Sequence, residues 1–254
     1  MIPSFIKKII KIFLPNSFIN FKDKFLINLN RKKFARLNLN TKDTFSKIYA
    51  EQLWTPDNKK NIFQYYSGLG SHDAEFIDKY VIVISEYLLS FKTKPSVVDL
   101  GCGDFNIGSK LRKYCSTYNA VDIVDDLINY NIQKYNDLKV EFINLDIIKD
   151  KVPSADICFL RLVLQHLSNK DIFNFLELNK SNFNSLIVTE HYPSSKYFAP
   201  NIDKPTGPDI RLFDNSAVVL TAPPFNLKVK KEVDLCEIFS NKIKGSLKTK
   251  LLIL

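Results

Sequence analysis

Residues 96–108, SVVDLGCGDFNIG, decide how the rest of the chain is read. SVVDL has the apolar, β-branched character of a strand buried on both faces. It runs straight into Gly101–Cys102–Gly103, and a helical stretch begins near Ile107. Two glycines at a strand's end let the backbone turn sharply and let a ligand approach where a Cβ would otherwise stand. The stretch therefore reads as a strand–loop–helix nucleotide site; a glycine turn without a ligand is the plainer alternative. A dinucleotide fingerprint would need a third glycine at position 106, which is Asn106. What the chain offers instead is an acid, Asp99, two residues ahead of the first glycine.

Further along, short apolar runs alternate with helical stretches, as in a doubly wound sheet. Strands are predicted over 117–123, 140–147, 155–160 and 185–189, and helices over 108–114, 125–135 and 171–178. Residues 217–221 (AVVLT), 227–236 and 248–254 also read as strands, the last two as a closing hairpin. The second strand ends on Asp122, at the roughly twenty-residue separation from Asp99 at which an acid accepts hydrogen bonds from ribose hydroxyls. Ile123 then lies against the base; simple capping of the strand end is the alternative. The fifth strand delivers Glu190–His191–Tyr192 to the carboxyl edge of the sheet, where open α/β sheets bind ligands.

The order D-L-G-C-G resembles motif I of the class I methyltransferases that use S-adenosylmethionine (SAM), although Phe105 stands where that family has its last glycine. The resemblance covers about residues 45–254. It implies an α/β, Rossmann-like class I methyltransferase fold: a mostly parallel seven-stranded sheet with an antiparallel C-terminal hairpin, preceded by a helical arm over 1–44. SAM would be held by Asp99, Gly101, Cys102, Gly103, Asp122 and Ile123. Asp146–Ile147 resembles the family site where an acid meets the adenine amino group and an apolar side chain covers the ring. The loop YYSGLGS, residues 65–71, follows the single tryptophan, Trp54, and resembles a segment that closes over SAM. Ser67 and Gly68 would be its contacts; a helix-entry loop capped by Ser71 is the alternative. RLVLQHL, residues 161–167, is similar to small-molecule and sugar methyltransferases, with Arg161 and His166 facing the cofactor sulfur. His166 reads equally well as a packed helix-terminal histidine.

Methyl transfer to a hydroxyl is an in-line displacement, which needs an oriented acceptor. A base that takes the hydroxyl proton adds about 10²–10⁴-fold. The fold brings four titratable candidates to that edge: His191, Glu190, His166 and Asp104. A histidine is favoured because its ordinary pKa lies near the operating pH. The tetrapeptide Asp/Asn-Pro-Pro-Tyr/Phe, by which nucleic-acid amino methyltransferases grip a flipped base, is missing after the fourth strand, and Pro223–Pro224–Phe225 lies far downstream. A nucleic-acid acceptor is disfavoured. The four cysteines are scattered without CxxC spacing, so neither a disulfide framework nor a metal site is expected.

Charge divides the chain. Residues 1–60 hold 13 basic and 4 acidic residues, and the remaining 194 residues hold 23 of each. The formal net charge of +9 is therefore carried by the N-terminal stretch 1–60. Within it, MIPSFIKKIIKIFL (1–14) places Ile2, Phe5, Ile6, Ile9, Ile10 and Phe13 on one helical stripe with lysines largely opposite. Such a stripe suits either an anionic membrane surface or the protein's own body. It is too short and too charged to span a bilayer. The segment 192–224, with six prolines and with Asn201, Asp203, Asp209 and Arg211, reads as a polar loop on the acceptor side or as solvated loop.

The combined motifs also resemble methyltransferases of bacterial surface-polysaccharide clusters. The expectation is a cytoplasmic SAM-dependent O-methyltransferase, peripheral at the inner face of the membrane. Its acceptor would be a hydroxyl of a sugar, a glycan or a lipid- or nucleotide-linked precursor. A lipid or other small metabolite is the alternative acceptor, and a membrane-recruited SAM-binding scaffold the alternative outside enzymes.

Overall fold

The computed structural model describes residues 27–60, 62–195, 197–243 and 245–254. The chain divides into two units, Met1–Asn38 and Leu39–Leu254. In the first, residues 27–36 form a helix; the amphipathic stripe of 1–14 lies outside the described residues. The second unit begins with α1 (Thr41–Ala50), which runs through position 45 and is capped by the Asn40 side chain on the Asp43 N–H. No helix among the described residues is long and apolar enough to cross a membrane.

Seven strands form one sheet in the order β3-β2-β1-β4-β5-β7-β6. They are β1 (Val97–Leu100), β2 (Tyr118–Asp122), β3 (Glu141–Asn144), β4 (Ala155–Arg161), β5 (Phe183–Pro193), β6 (Lys231–Ser240) and β7 (Gly245–Ile253). β1 to β5 are parallel to their neighbours, and β7 runs antiparallel to both β5 and β6. This is the Rossmann-like methyltransferase topology, with its C-terminal hairpin seated as expected.

The central strands read as unbroken apolar runs because both faces are covered. Val98, Leu100, Cys158, Leu160, Leu186 and Val188 pack with Ile172, Phe175 and Leu176 of α6 (Asn169–Asn179). The alternate residues Val97, Ile157, Phe159 and Ile187 pack with Phe76, Tyr80, Ile84 and Leu88 of α3 (Ala74–Leu89). Truncating Leu160, which has no exposed surface, to alanine should cost about 2–5 kcal/mol. The remaining α-helices among the described residues of this unit are the short α2 (Leu69–His72) and α4 (Gly108–Leu111), and α5 (Asp125–Lys134).

One predicted strand is absent. Residues 217–221 are irregular, with Ala217, Val218 and Leu220 buried. The reason is Asn201, whose side-chain amide accepts from Val219 N–H (2.8 Å) and donates to Val219 C=O (2.9 Å) and Pro223 C=O (2.9 Å). A side chain thus takes the hydrogen bonds that a neighbouring strand would otherwise supply.

Candidate active site

Strand order reverses between β1 and β4, and a crevice opens beyond their carboxyl ends, where open α/β sheets bind ligands. The cavity there measures about 320 Å³. Asp99, the residue before the last of β1, lies on the α3 face, 9% exposed, and accepts a hydrogen bond from Tyr118 Oη (2.9 Å). Burial pushes its carboxyl up to about 6, against the pull of the Tyr118 hydroxyl and of Arg161. Gly101 and Gly103 follow with φ of +69° and +56°. A Cβ on Gly101 would lie 2.6 Å from Val163 Cγ2, and one on Gly103 would run into Ser67 Oγ. Cys102 lines the cavity between them, its thiol pushed well up by burial.

Asp122 closes β2 and clamps the glycine turn. Its carboxylate accepts from Gly103 N–H (3.0 Å) and Val124 N–H (3.1 Å), and burial raises it to about 6. Fully buried Asn131, on α5, holds the turn from the other side by donating to Gly103 C=O (2.7 Å). Ile123, Asp146 and Ile147 line the same cavity, Asp146 in the turn after β3 rather than in the strand. Its carboxylate accepts from Ile148 N–H (3.1 Å) and meets Lys149 Nζ at 3.0 Å.

The segment 65–73 covers one side of the crevice, and Ser67 and Gly68 line it. Gly68 takes φ +87°. Asp104 ties the segment down by accepting from Ser67 N–H (2.9 Å) and bonding His72 Nε2. His72 stacks on Tyr66 with ring centroids 4.2 Å apart. Arg161 holds the next turn by donating to Gly70 C=O (2.6 Å) while its guanidinium lies over the Tyr80 ring, 4.7 Å from the centroid. Asn106 donates to Ser71 C=O (2.6 Å). Asp104, expected among the catalytic groups, thus lines the cavity but spends its carboxylate on Ser67, His72 and Asn106 N–H.

At the far end of the crevice stand His166 and His191. His166 lies against Trp54 with ring centroids 4.8 Å apart, and Trp54 Nε1 donates to Pro208 C=O (2.9 Å). Burial, then Lys204, hold His166 down to about 3; burial, then Arg161, hold His191 down to about 4. Both rings are therefore neutral near pH 7. His191 Nδ1 meets Gln165 Oε1 at 2.6 Å. Gln165, unremarked in the sequence reading, is the partner that orients it.

Glu190 is not brought to the cavity. Successive strand residues face opposite sides of a sheet, and Glu190 shares the side of Leu186 and Val188. There it is 1% exposed and accepts from Leu164 N–H (3.0 Å). Burial pushes its carboxyl up to about 8, against Arg211 and the backbone N–H groups of Leu164 and Gln165. It braces the turn that carries Gln165.

The polar loop also turns inward. Arg211, 1% exposed, donates to Leu167 C=O (2.6 Å) and Ile202 C=O, and Asn201 serves the irregular segment described above. Asp203 accepts from Asn169 N–H (2.7 Å), and Asp209 lies 3.5 Å from Lys204 Nζ. It is Pro208, Ile210 and Phe213 that reach the crevice, alongside Phe45 and Trp54. Among the described residues, no group of three His, Cys, Asp or Glu is set to hold a metal.

Residues 98–177 match the family model described as a methyltransferase domain. No curated protein matches the sequence significantly. Among solved structures, magnesium protoporphyrin IX methyltransferase from Synechocystis PCC 6803 is 15% identical, with a TM-score of 0.52 over 85% of this chain and 98% of that one. The N-methyltransferase NodS from Bradyrhizobium japonicum WM9 is 14% identical, with a TM-score of 0.53 over 81% of this chain and 97% of that one. Human N-acetylserotonin methyltransferase is 14% identical, with a TM-score of 0.52 over 85% of this chain and 60% of that one. Those three structures hold SAM, S-adenosylhomocysteine and SAM, respectively. The fold is that of the Rossmann-like class I methyltransferases, and the methyltransferase-domain model falls on residues 98–177 of it.

The residues of the crevice fit SAM. The glycine turn leaves a cradle that a Cβ at 101 or 103 would fill. Each Asp122 carboxylate oxygen already takes one backbone N–H and keeps a lone pair for a hydroxyl.

Proposed function

We propose that the chain methylates a hydroxyl oxygen, with His191 accepting the proton, and that the acceptor is a sugar of a glycan or of its lipid- or nucleotide-linked precursor. When bound, SAM supplies an electrophilic methyl group. In this reading Asp122 holds the ribose hydroxyls, Asp146 and Ile147 the adenine, and the 101–103 turn and Asp99 the amino-acid end. Ser67 and Gly68 close over them.

The observation that carries the reading is His191: a neutral imidazole in the wall of the crevice, hydrogen-bonded through Nδ1. A weak base suffices, because a hydroxyl becomes strongly acidic as its oxygen forms a new bond to carbon. The acceptor side is walled by Phe45, Trp54, Ile210 and Phe213. An aromatic wall supports a pyranose presented by its C–H face, with the reacting hydroxyl at the rim. The same wall has no charged side chain, which supports a second reading: a lipid or other small apolar metabolite.

Methyl-labelled SAM, incubated in turn with nucleotide sugars, lipid-linked glycans and a lipid extract, tests the proposal. The expected product is a methyl ether on a sugar hydroxyl, and His191→Ala should lower turnover by about 10²–10⁴-fold. Label on a nitrogen overturns the oxygen assignment, and label in the simple lipids selects the second reading. Attachment to an anionic membrane through residues 1–14 is proposed with it; equal liposome flotation of the full chain and of residues 16–254 rejects that part.

A further inference from the structure

Three polar side chains at the end of β4 and β5 are joined through one amide. Gln165, 4% exposed, meets His191 Nδ1 with Oε1 (2.6 Å), and with Nε2 meets Leu162 C=O (3.3 Å) and His166 Nε2 (3.3 Å). A backbone carbonyl only accepts hydrogen bonds, so the amide NH₂ must face Leu162 and the amide oxygen must face His191. That oxygen also only accepts, so Nδ1 of neutral His191 must carry its proton. Its lone pair is then on Nε2. The second amide hydrogen points at His166 Nε2, which must accept it, so His166 too carries its proton on Nδ1.

The orienting carbonyl is itself held in an uncommon position. Leu162 has φ +59°, a conformation rarely adopted by a branched apolar residue, while its N–H donates to Thr189 C=O (2.8 Å). Such backbone gathers at functional sites, where surrounding contacts over-determine it.

We infer that Gln165 is a positioning residue: it locks His191 as the Nδ1–H tautomer and so leaves Nε2 as the proton acceptor in the crevice. The inference deepens the hydroxyl-methylation reading, and its role in turnover rests on that reading. The tautomer itself does not.

Nitrogen-15 NMR of the histidine rings in the full-length protein, without acceptor, tests the lock. The chain has only three histidines, so single replacements assign each ring. The expected result is an unprotonated Nε2 on both His191 and His166 near pH 7. In Gln165→Met, which keeps the volume and removes the acceptor, a second His191 population protonated on Nε2 should appear. Turnover should fall about tenfold or more while KM for SAM stays within about twofold. A wild-type His191 protonated on Nε2, or an unchanged tautomer in Gln165→Met, overturns the inference. If that variant fails to fold, Gln165→Glu decides. Arg161 on the neighbouring strand and His166 are the other charged or titratable groups set against His191. A carboxylate on Nδ1 should raise the His191 midpoint by about a unit or more, and an unmoved midpoint overturns the contact. A confirmed tautomer with no methylated hydroxyl in any acceptor pool would leave the lock standing and reject the proposed reaction.

Discussion

Asp104 and Ser67 hold each other by two reciprocal hydrogen bonds: Ser67 N–H donates to Asp104 Oδ2 (2.9 Å), and Asp104 N–H donates to Ser67 Oγ (2.8 Å). One residue belongs to the glycine turn and the other to the segment that covers it. Asp104→Ala removes the carboxylate and strands both Ser67 N–H and His72. The expected effect is looser cover rather than lost chemistry: KM for SAM raised about tenfold, kcat changed much less, and faster amide exchange over residues 66–73. A large drop in kcat with KM unchanged would return Asp104 to the catalytic groups.

Glu190 gives a pH signature of its own. Its folded pKa of about 8 lies above the ordinary 4.5. Below pH 4.5 both folded and unfolded chains carry the proton; between 4.5 and 8 the unfolded chain releases it and the folded chain keeps it. Stability from this group is therefore full in acid and drains as pH rises toward 8. Glu190→Gln cannot titrate and keeps an oxygen for Leu164 N–H. Its stability relative to the parent should climb by a few kcal/mol between pH 5 and 8, read by urea unfolding at four pH values, with kcat/KM held within about threefold. Loss of turnover with no stability trend would mean that Glu190 reaches the reaction after all.

Asp122 should make cofactor binding pH-dependent. Its carboxyl sits at about 6 without ligand, and hydroxyl donors favour the ionised form. Calorimetric affinity for S-adenosylhomocysteine should fall about tenfold from pH 7 to pH 5 and level off above 7. Asp122→Asn should bind more weakly and less steeply, the remaining slope belonging to Asp99. Constant affinity across that range would sink the assignment of Asp122 to the ribose.

Gly103→Ala combines two penalties. The left-handed φ of +56° costs an L-residue about 1–2 kcal/mol, and the new Cβ meets Ser67 Oγ and lies 3.0 Å from Ser67 Cβ. Weaker S-adenosylhomocysteine binding and a lowered Tm are expected. Adding Ser67→Gly should recover part of the loss, which a double-mutant cycle measures. Purely additive effects would place the damage in the backbone alone.

How far the site was legible follows from patterning. Asp99 and Asp122 are readable because each stands at or next to the end of a buried strand, and position in a strand fixes position on the sheet edge. Glu190 and His191 are not separable in that way. SLIVT, the run before them, is apolar on both faces, so no alternation says which of the two points into the crevice. The loop residues Asn201 and Arg211 carry no sequence mark of burial either. Polar side chains look alike in a sequence whether they meet solvent or the carbonyls left free where a strand ends.

The sequence by itself determined the parallel sheet, the glycine bend, the acids at the strand tips and the aromatic-rich loop ahead of them, because these rest on local conformational preference and regular spacing. Tertiary structure alone decided that Asp104 fastens a cover, that Glu190 lies behind the sheet, and that Gln165 stands between two histidines. Hydrogen-bond partners are chosen by three-dimensional proximity and by which atoms are left without water, and neither quantity is written in residue order.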